Sequence, residues 1–227
     1  MGKPKYFLVK MSDSEDFAKA FRSGILYANR LSCFRKLEAG KRGDPHEGVF
    51  ALSDKGVLTL TATFPGGSDT ITLTERDFAG PPLLMPDSVS FLNIFCMHMA
   101  HCREFTLLSS GPETRVKLDL EIPDACIQEF GRYAVIITHP GKFFARVKRM
   151  AELQSRQWRR GPVEYQDPPW NLMHSIKAAF YKVPDLSYQR EYRLAFDINA
   201  DNHKAVSLEI GDIRDISFIQ ELPSERF

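Results

Sequence analysis

The chain has 227 residues, 43% hydrophobic and 26% charged, with seventeen Phe, a composition that can fill a core and excludes general disorder. Thirty Lys plus Arg against 29 Asp plus Glu give a net charge of +1, so no global field draws nucleic acid or an anionic membrane, and only local basic patches remain. One domain over residues 1–227 is expected, in a reducing cytoplasm and without a membrane span: the four cysteines are irregularly spaced, the N-terminus lacks an export signal, and no run approaches eighteen apolar residues.

Residues 5–11 (K-Y-F-L-V-K-M) read as a short strand. Asp13 or Ser14 then caps a helix with Phe17, Ala20 and Phe21 on its inner side. Gly24 ends that helix, and a second short strand follows at 25–27, bringing Lys10 and Tyr27 near each other. Residues 31–48 are polar and glycine-containing, a loop by composition. The segments 57–63 and 70–75 alternate apolar residues with Thr and make a hairpin across a longer loop, F-P-G-G-S-D.

The run F-L-N-I-F-C-M at 91–97 suits a central strand buried on both faces. Residues 123–130 form a short helix with Pro in its first turn, and Y-A-V-I-I-T at 133–138 is the strongest buried strand. Phe143, Val147, Met150 and Leu153 recur at helical spacing across 142–158. Further expected elements are a strand at 161–165, a helix at 171–182, strands at 191–197 and 204–210 pairing as a hairpin, and an edge strand at 216–222. The fold class is therefore α+β, a mixed, largely antiparallel sheet with several helices.

Four constellations bear on chemistry. The Arg42-Gly-Asp44-Pro-His-Glu47-Gly48 loop either orders itself through its own charges or contacts a ligand. Cys96, His98, His101 and Cys102 are zinc-type ligands, but on a strand His101 points away from the others and no second ligand pair exists, so no metal is expected. Gln157-Trp158-Arg159-Arg160, with Tyr165 and Trp170, follows a helix carrying Lys142, Arg146, Lys148 and Arg149. Such residues stack bases and neutralise phosphates, or simply cover a core and face solvent; nucleic acid is not the favoured partner.

The fourth is Tyr188-Gln189-Arg190-Glu191-Tyr192-Arg193, where strand alternation puts Gln189, Glu191 and Arg193 on one face and Arg190 and Tyr192 on the other. A carboxylate beside an amide stabilises a developing oxocarbenium ion. The alternative is a structural ion pair of Glu191 with Arg190, Arg193 or Lys182.

Together, G-I-L-Y at 24–27, C-F-R-K-L-E at 33–38, R-G-D-P-x-E-G at 42–48, N-I-F-C at 93–96, G-P-V-E-Y at 161–165 and Q-x-E-Y-R at 189–193 resemble an uncharacterised protein family of bacteria, phages and prophages. More distantly, the strand, helix, Gly and strand of residues 5–27 followed by a late Q-x-E are similar to the ADP-ribosyltransferase superfamily. That resemblance implies NAD as substrate, cleaved or used to modify a host macromolecule. It casts Glu191 on the nicotinamide ribose, Gln189 on the acceptor, Tyr27 stacked on nicotinamide, and Lys10, Arg42, Asp44 and Glu47 around the dinucleotide. Lys10 stands where the superfamily has Arg or His, and Ser88-Val-Ser90 is a poor substitute for its Ser-Thr-Ser strand. The alternative is a non-catalytic phage protein that binds and modulates a host protein or nucleic acid.

Overall fold

The computed structural model describes residues 6–36, 48, 50–51, 58–74, 77, 83–84, 87–109, 115–155, 157–167, 176–198 and 204–223. In chain order the elements are β1 (Tyr6–Ser12), α1 (Glu15–Arg22), β2 (Ile25–Arg30), α2 (Leu31–Lys36), β3 (Phe50–Ala51), β4 (Leu58–Phe64), β5 (Gly67–Leu73) and β6 (Leu83–Leu84). Then come α3 (Asp87–Ser90), β7 (Asn93–Ser109), β8 (Arg115–Glu121), α4 (Asp124–Phe130), β9 (Tyr133–Ile137), α5 (Pro140–Gln154), β10 (Gln157–Pro162) and β11 (Glu164–Tyr165). The last are β12 (Tyr181–Lys182), β13 (Glu191–Asp197), β14 (Val206–Glu209) and β15 (Ser217–Glu221), with tight 3-10 turns at Ile176–Phe180, Pro184–Gln189 and Arg214–Ile216.

One antiparallel sheet dominates, ordered β10-β13-β7-β1-β9-β15, with β2, β8 and β14 attached at its margins. The expected α+β class with a largely antiparallel sheet is what forms; the parallel pairing among the described residues is the short β11–β12 contact. The long strand β7 organises the rest. His98 is paired with both Val9 and Glu191, and His101 with both Tyr6 and Glu121, so β13 and β8 lie end to end along one edge of β7. Ile94 is likewise shared by Ala195 and Asn29, which puts β2 on the β1 edge.

Both faces of this sheet are covered. Leu8, Phe95, Met97, Val135, Ile137, Leu194 and Phe196 pack against α1 and α5, while Val9, Met11, Ala100, Ala134 and Ile136 pack with Cys126 of α4. Double coverage is why β9 is an unbroken apolar run with Ala134 to Ile137 fully buried. Helix α5 buries Phe143, Val147, Met150 and Ala151, and each of the first three contributes roughly 1.5–3 kcal/mol by leaving water. Leu153, expected on that stripe, is 80% exposed, because the helix ends at Gln154 and the chain turns out into β10.

Other expectations are corrected. In α1 Phe21 is buried as expected, but its buried companion is Ala18, and Phe17 is 73% exposed. The loop expected from residue 31 begins instead as α2, where Leu31 is buried and Phe34 packs against the same cluster at helical spacing. The 58–73 hairpin closes tightly: Phe64 pairs with Gly67 across Pro65-Gly66, and Gly66 takes φ 112°, the Pro-Gly order of a type II turn. The expected helix at 171–182 is a 3-10 turn and then β12 over its described part. Finally, β14 does not pair with β13, whose two edges are taken by β7 and β10; it pairs with β2.

Candidate functional site

The two residues expected to act together, Gln189 and Glu191, do lie together, at the start of β13. Glu191 and Arg193 share a sheet face with their register partners His98 and Cys96, as alternation requires. Gln189 precedes the strand in a 3-10 turn, and between them Arg190 takes φ 39°, a left-handed conformation that sends its side chain away. Gln189 rejoins the cluster because β12 runs beneath it. Lys182 Nζ donates to Gln189 Oε1 at 2.9 Å and meets Glu191 Oε2 at 2.8 Å.

The Glu191 carboxylate is saturated. Arg193 grips it in the two-pronged geometry that guanidinium favours, Nε to Oε1 at 2.7 Å and Nη2 to Oε2 at 3.0 Å. Burial alone would push this carboxyl up; Arg193 and Lys182 outweigh it and hold it well below the usual carboxylate range. Glu191 is 6% exposed, Lys182 3% and Arg193 0%. The second cation is accommodated by neutral acceptors: Arg193 Nη1 donates to the Ala179 carbonyl at 2.5 Å. Gln189 Nε2 in turn reaches Glu129 Oε2 at 3.4 Å, and the Tyr188 hydroxyl donates to Glu129 Oε1 at 2.5 Å.

Two of the residues expected to line a dinucleotide cleft, Lys10 and Tyr27, are not brought to this carboxylate. Lys10 Nζ donates to the Cys96 carbonyl at 3.0 Å and lies 4.7 Å from the centre of the Phe95 ring. There it fills the break on the β7 edge between the end of β1 pairing and the start of β2 pairing. Tyr27 is 62% exposed on β2 opposite Ser207. Its strand meets β7 at Ile94, on the other edge from β13 and four residues short of His98, or about 13 Å along the strand. Arg42, Asp44 and Glu47 lie outside the described residues.

Of the zinc-type quartet, His98 faces Gln189 while His101 stacks on Tyr6 on the opposite face, ring centres 5.5 Å apart, so the four do not converge. Cys102 donates to the Glu104 carbonyl. His98 is 4% exposed: Nδ1–H donates to the Gln189 carbonyl at 2.7 Å, and Nε2 finds no partner of hydrogen-bond geometry among the described residues. Burial lowers its pKa, against partial opposition from the Gln189 and Glu121 backbone. A base whose folded pKa is depressed is neutral in the fold, so the unfolded chain binds more protons below about pH 6.5 and stability falls there. His98→Asn, which keeps a donor toward Gln189, should abolish that step. Unfolding free energies from urea titrations at pH 7.5 and 5.5 are expected to differ by about 1 kcal/mol more in the wild type than in the variant.

The basic and aromatic segment forms β10, the outer strand of the sheet. Its alternation sends Arg159 to the face of Phe180, 5.6 Å from the ring centre, and Arg160 to the opposite face over Phe144, at 3.8 Å. Trp158 packs against the core beside Phe196. Behind it, Arg146 is bidentate on Asp215 and Lys148 pairs with Glu152, while Lys142 and Arg149 stay exposed. No α-helix among the described residues is long and apolar enough to cross a membrane. Comparison with protein-family models, curated proteins and solved structures finds no match to this chain.

Proposed function

We propose that this chain is an interaction protein that receives an acidic, extended segment of a partner protein along the β10 edge. The observation that carries the reading is the pair Arg159 and Arg160. Both are exposed, project from opposite faces of an edge strand, are stacked on rings and have no carboxylate partner among the described residues. A strand added to that edge places its own successive side chains on alternate faces, so two neighbouring acidic residues would each meet one arginine. Each such cross-strand pair contributes roughly 0.2–1 kcal/mol. Stacking on Phe180 and Phe144 holds the guanidinium groups in place, which reduces the entropy lost on binding. Pro162 at the strand's end is tolerated because an outer strand does not need every N–H.

ADP-ribosyl transfer from NAD is supported less well, because it requires Glu191 to reach a ribose, and that carboxylate is buried with both oxygens occupied. The test is fluorescence anisotropy with a short labelled peptide alternating Glu with Val or Thr. Binding should weaken with salt and fall about tenfold or more, some 1.4 kcal/mol, in an Arg159→Glu/Arg160→Glu double variant. Tighter binding of a single-stranded oligonucleotide, or equal peptide binding by the double variant, would overturn the proposal. Transfer of label from NAD to a protein in bacterial lysate by the wild-type chain would restore the enzymatic reading.

A further inference from the structure

A hollow of about 450 Å³ opens where β13 leaves the edge of β7 and β8 has not yet joined it. Along this edge Met99 N–H is met by a single bond to the Arg190 carbonyl at 2.8 Å, and the space beyond forms the notch. Three features make it more than a gap in packing. The first is aromatic: Tyr6, half exposed, and His101 stand side by side on one wall with ring centres 5.5 Å apart. The second is a donor: the Tyr165 hydroxyl accepts the Glu191 N–H at 2.9 Å, and burial and the nearby Glu191 charge push its pKa up. The phenol therefore stays protonated, and among the described residues its own O–H is left to donate.

The third is Arg190. Its left-handed backbone, φ 39° and ψ 52°, costs roughly 1–2 kcal/mol for a residue with a Cβ, and Gly or Asn is the usual occupant of such a turn. That cost places the guanidinium on the rim of the notch, held by Glu121 Oε1 through Nη2 at 3.1 Å. Among the described residues no other side chain takes the remaining guanidinium N–H groups of Arg190, which can bind an anion. Glu121 is already shared with Arg103 at 3.4 Å, so two guanidinium groups stand against one carboxylate at the rim. Strained backbone that displays a charged side chain over a hollow is a feature of ligand sites.

We propose that this notch binds a small planar ring bearing an oxyanion, an aryl carboxylate or aryl phosphate. The ring would lie against Tyr6 and His101 and the oxyanion would sit between Arg190 and the Tyr165 hydroxyl. This site is separate from the β10 edge and does not depend on the partner proposed there. Benzoate and phenyl phosphate are the probes, which distinguish the two oxyanions, with phenol and inorganic phosphate as the ring and the charge alone. Titration followed by ¹H–¹⁵N spectra should show saturable shifts at His101 and Arg190 for at least one aryl oxyanion, and weaker binding of both fragments. Arg190→Gly should abolish binding, a loss of about tenfold or more, while its thermal midpoint stays level or rises because the φ strain is relieved. Tyr6→Ala, a change at a half-exposed position, should weaken binding without altering the midpoint. Absence of binding by the wild type into the millimolar range, equal affinity for inorganic and phenyl phosphate, or undiminished binding by Arg190→Gly would each overturn the proposal.

Discussion

Glu191→Gln is expected to lower the unfolding free energy by about 3–5 kcal/mol, the cost of leaving buried cations without their counter-charge. Gln keeps the volume and one acceptor, so the loss isolates the charge. What remains is Arg193, fully buried, and Lys182, 3% exposed, with Gln189 Oε1 and the Ala179 carbonyl as neutral acceptors. A shift in the urea midpoint at unchanged slope is the readout. The opposite result carries equal information. A carboxylate kept for chemistry is usually a stability liability, so its amide would leave the midpoint level or raise it. Replacing Lys182, Glu191 and Arg193 together by Met or Leu should recover most of the loss, since a matched apolar set avoids desolvating three charges.

The same carboxylate sets an acid limb. Its folded pKa is depressed, so the stability it contributes is complete above the unfolded carboxylate value near 4.3 and is lost as pH falls below that toward the folded value. The wild type should therefore lose stability steeply below about pH 4.3, and Glu191→Gln should lack that part of the slope. His98 acts from higher pH, as the pH falls below the unfolded histidine value near 6.5, so its step begins before that of the carboxylate.

How far the sequence foretold this cluster depends on which interactions are local. Alternation correctly put Glu191 and Arg193 on one face, since both lie within β13. Gln189 does join Glu191 and Arg190 does turn away, but not through strand alternation: both precede the strand, and a left-handed residue interrupts the period of two there, which nothing in Q-R-E marks. Lys182 was a candidate partner for Glu191, yet its position depends on β12 lying against β11, a contact visible only in three dimensions. Val116, Leu118 and Leu120 alternate with Lys117 and Asp119, so the period of two that marks β8 is present in the sequence despite its charges. The exchange of β14 from β13 to β2 was not legible, since turn residues between two strands do not say whether another strand already holds the edge. The notch follows from that same kind of fact: two strands share one edge of β7 and stop short of each other.

Gly24 shows the limit from the other side, and Gly24→Ala is expected to be as damaging as the loss of Glu191. In sequence it marks the end of α1, and it does follow the C-cap Ser23, at φ 101°. A helix stop alone would tolerate Ala at the cost of the positive φ, roughly 1–3 kcal/mol. Here a Cβ would also stand 2.2 Å from the Gly211 carbonyl oxygen, a backbone atom that cannot swing aside. The approach is close because the chain after β14 is seated on this corner: Ile210 N–H donates to the Gly24 carbonyl at 2.9 Å and Ile213 N–H to that of Arg22 at 3.0 Å. Ile210, Ile213 and Ile216 enter the core behind those bonds. Relieving the clash would lift that segment and expose them, so strain and overpacking together should cost about 3–5 kcal/mol. Gly66→Ala is the control, since Gly66 has a similar φ of 112° with none of the described residues within 4 Å of a Cβ. It should lose only the conformational part, about 1–3 kcal/mol. Equal losses in the two variants would mean that the Gly24 to Gly211 approach bears no weight. A larger loss at Gly24, with faster hydrogen exchange at Ile210 and Ile213, would establish it as the joint between the N-terminal unit and the C-terminal segment.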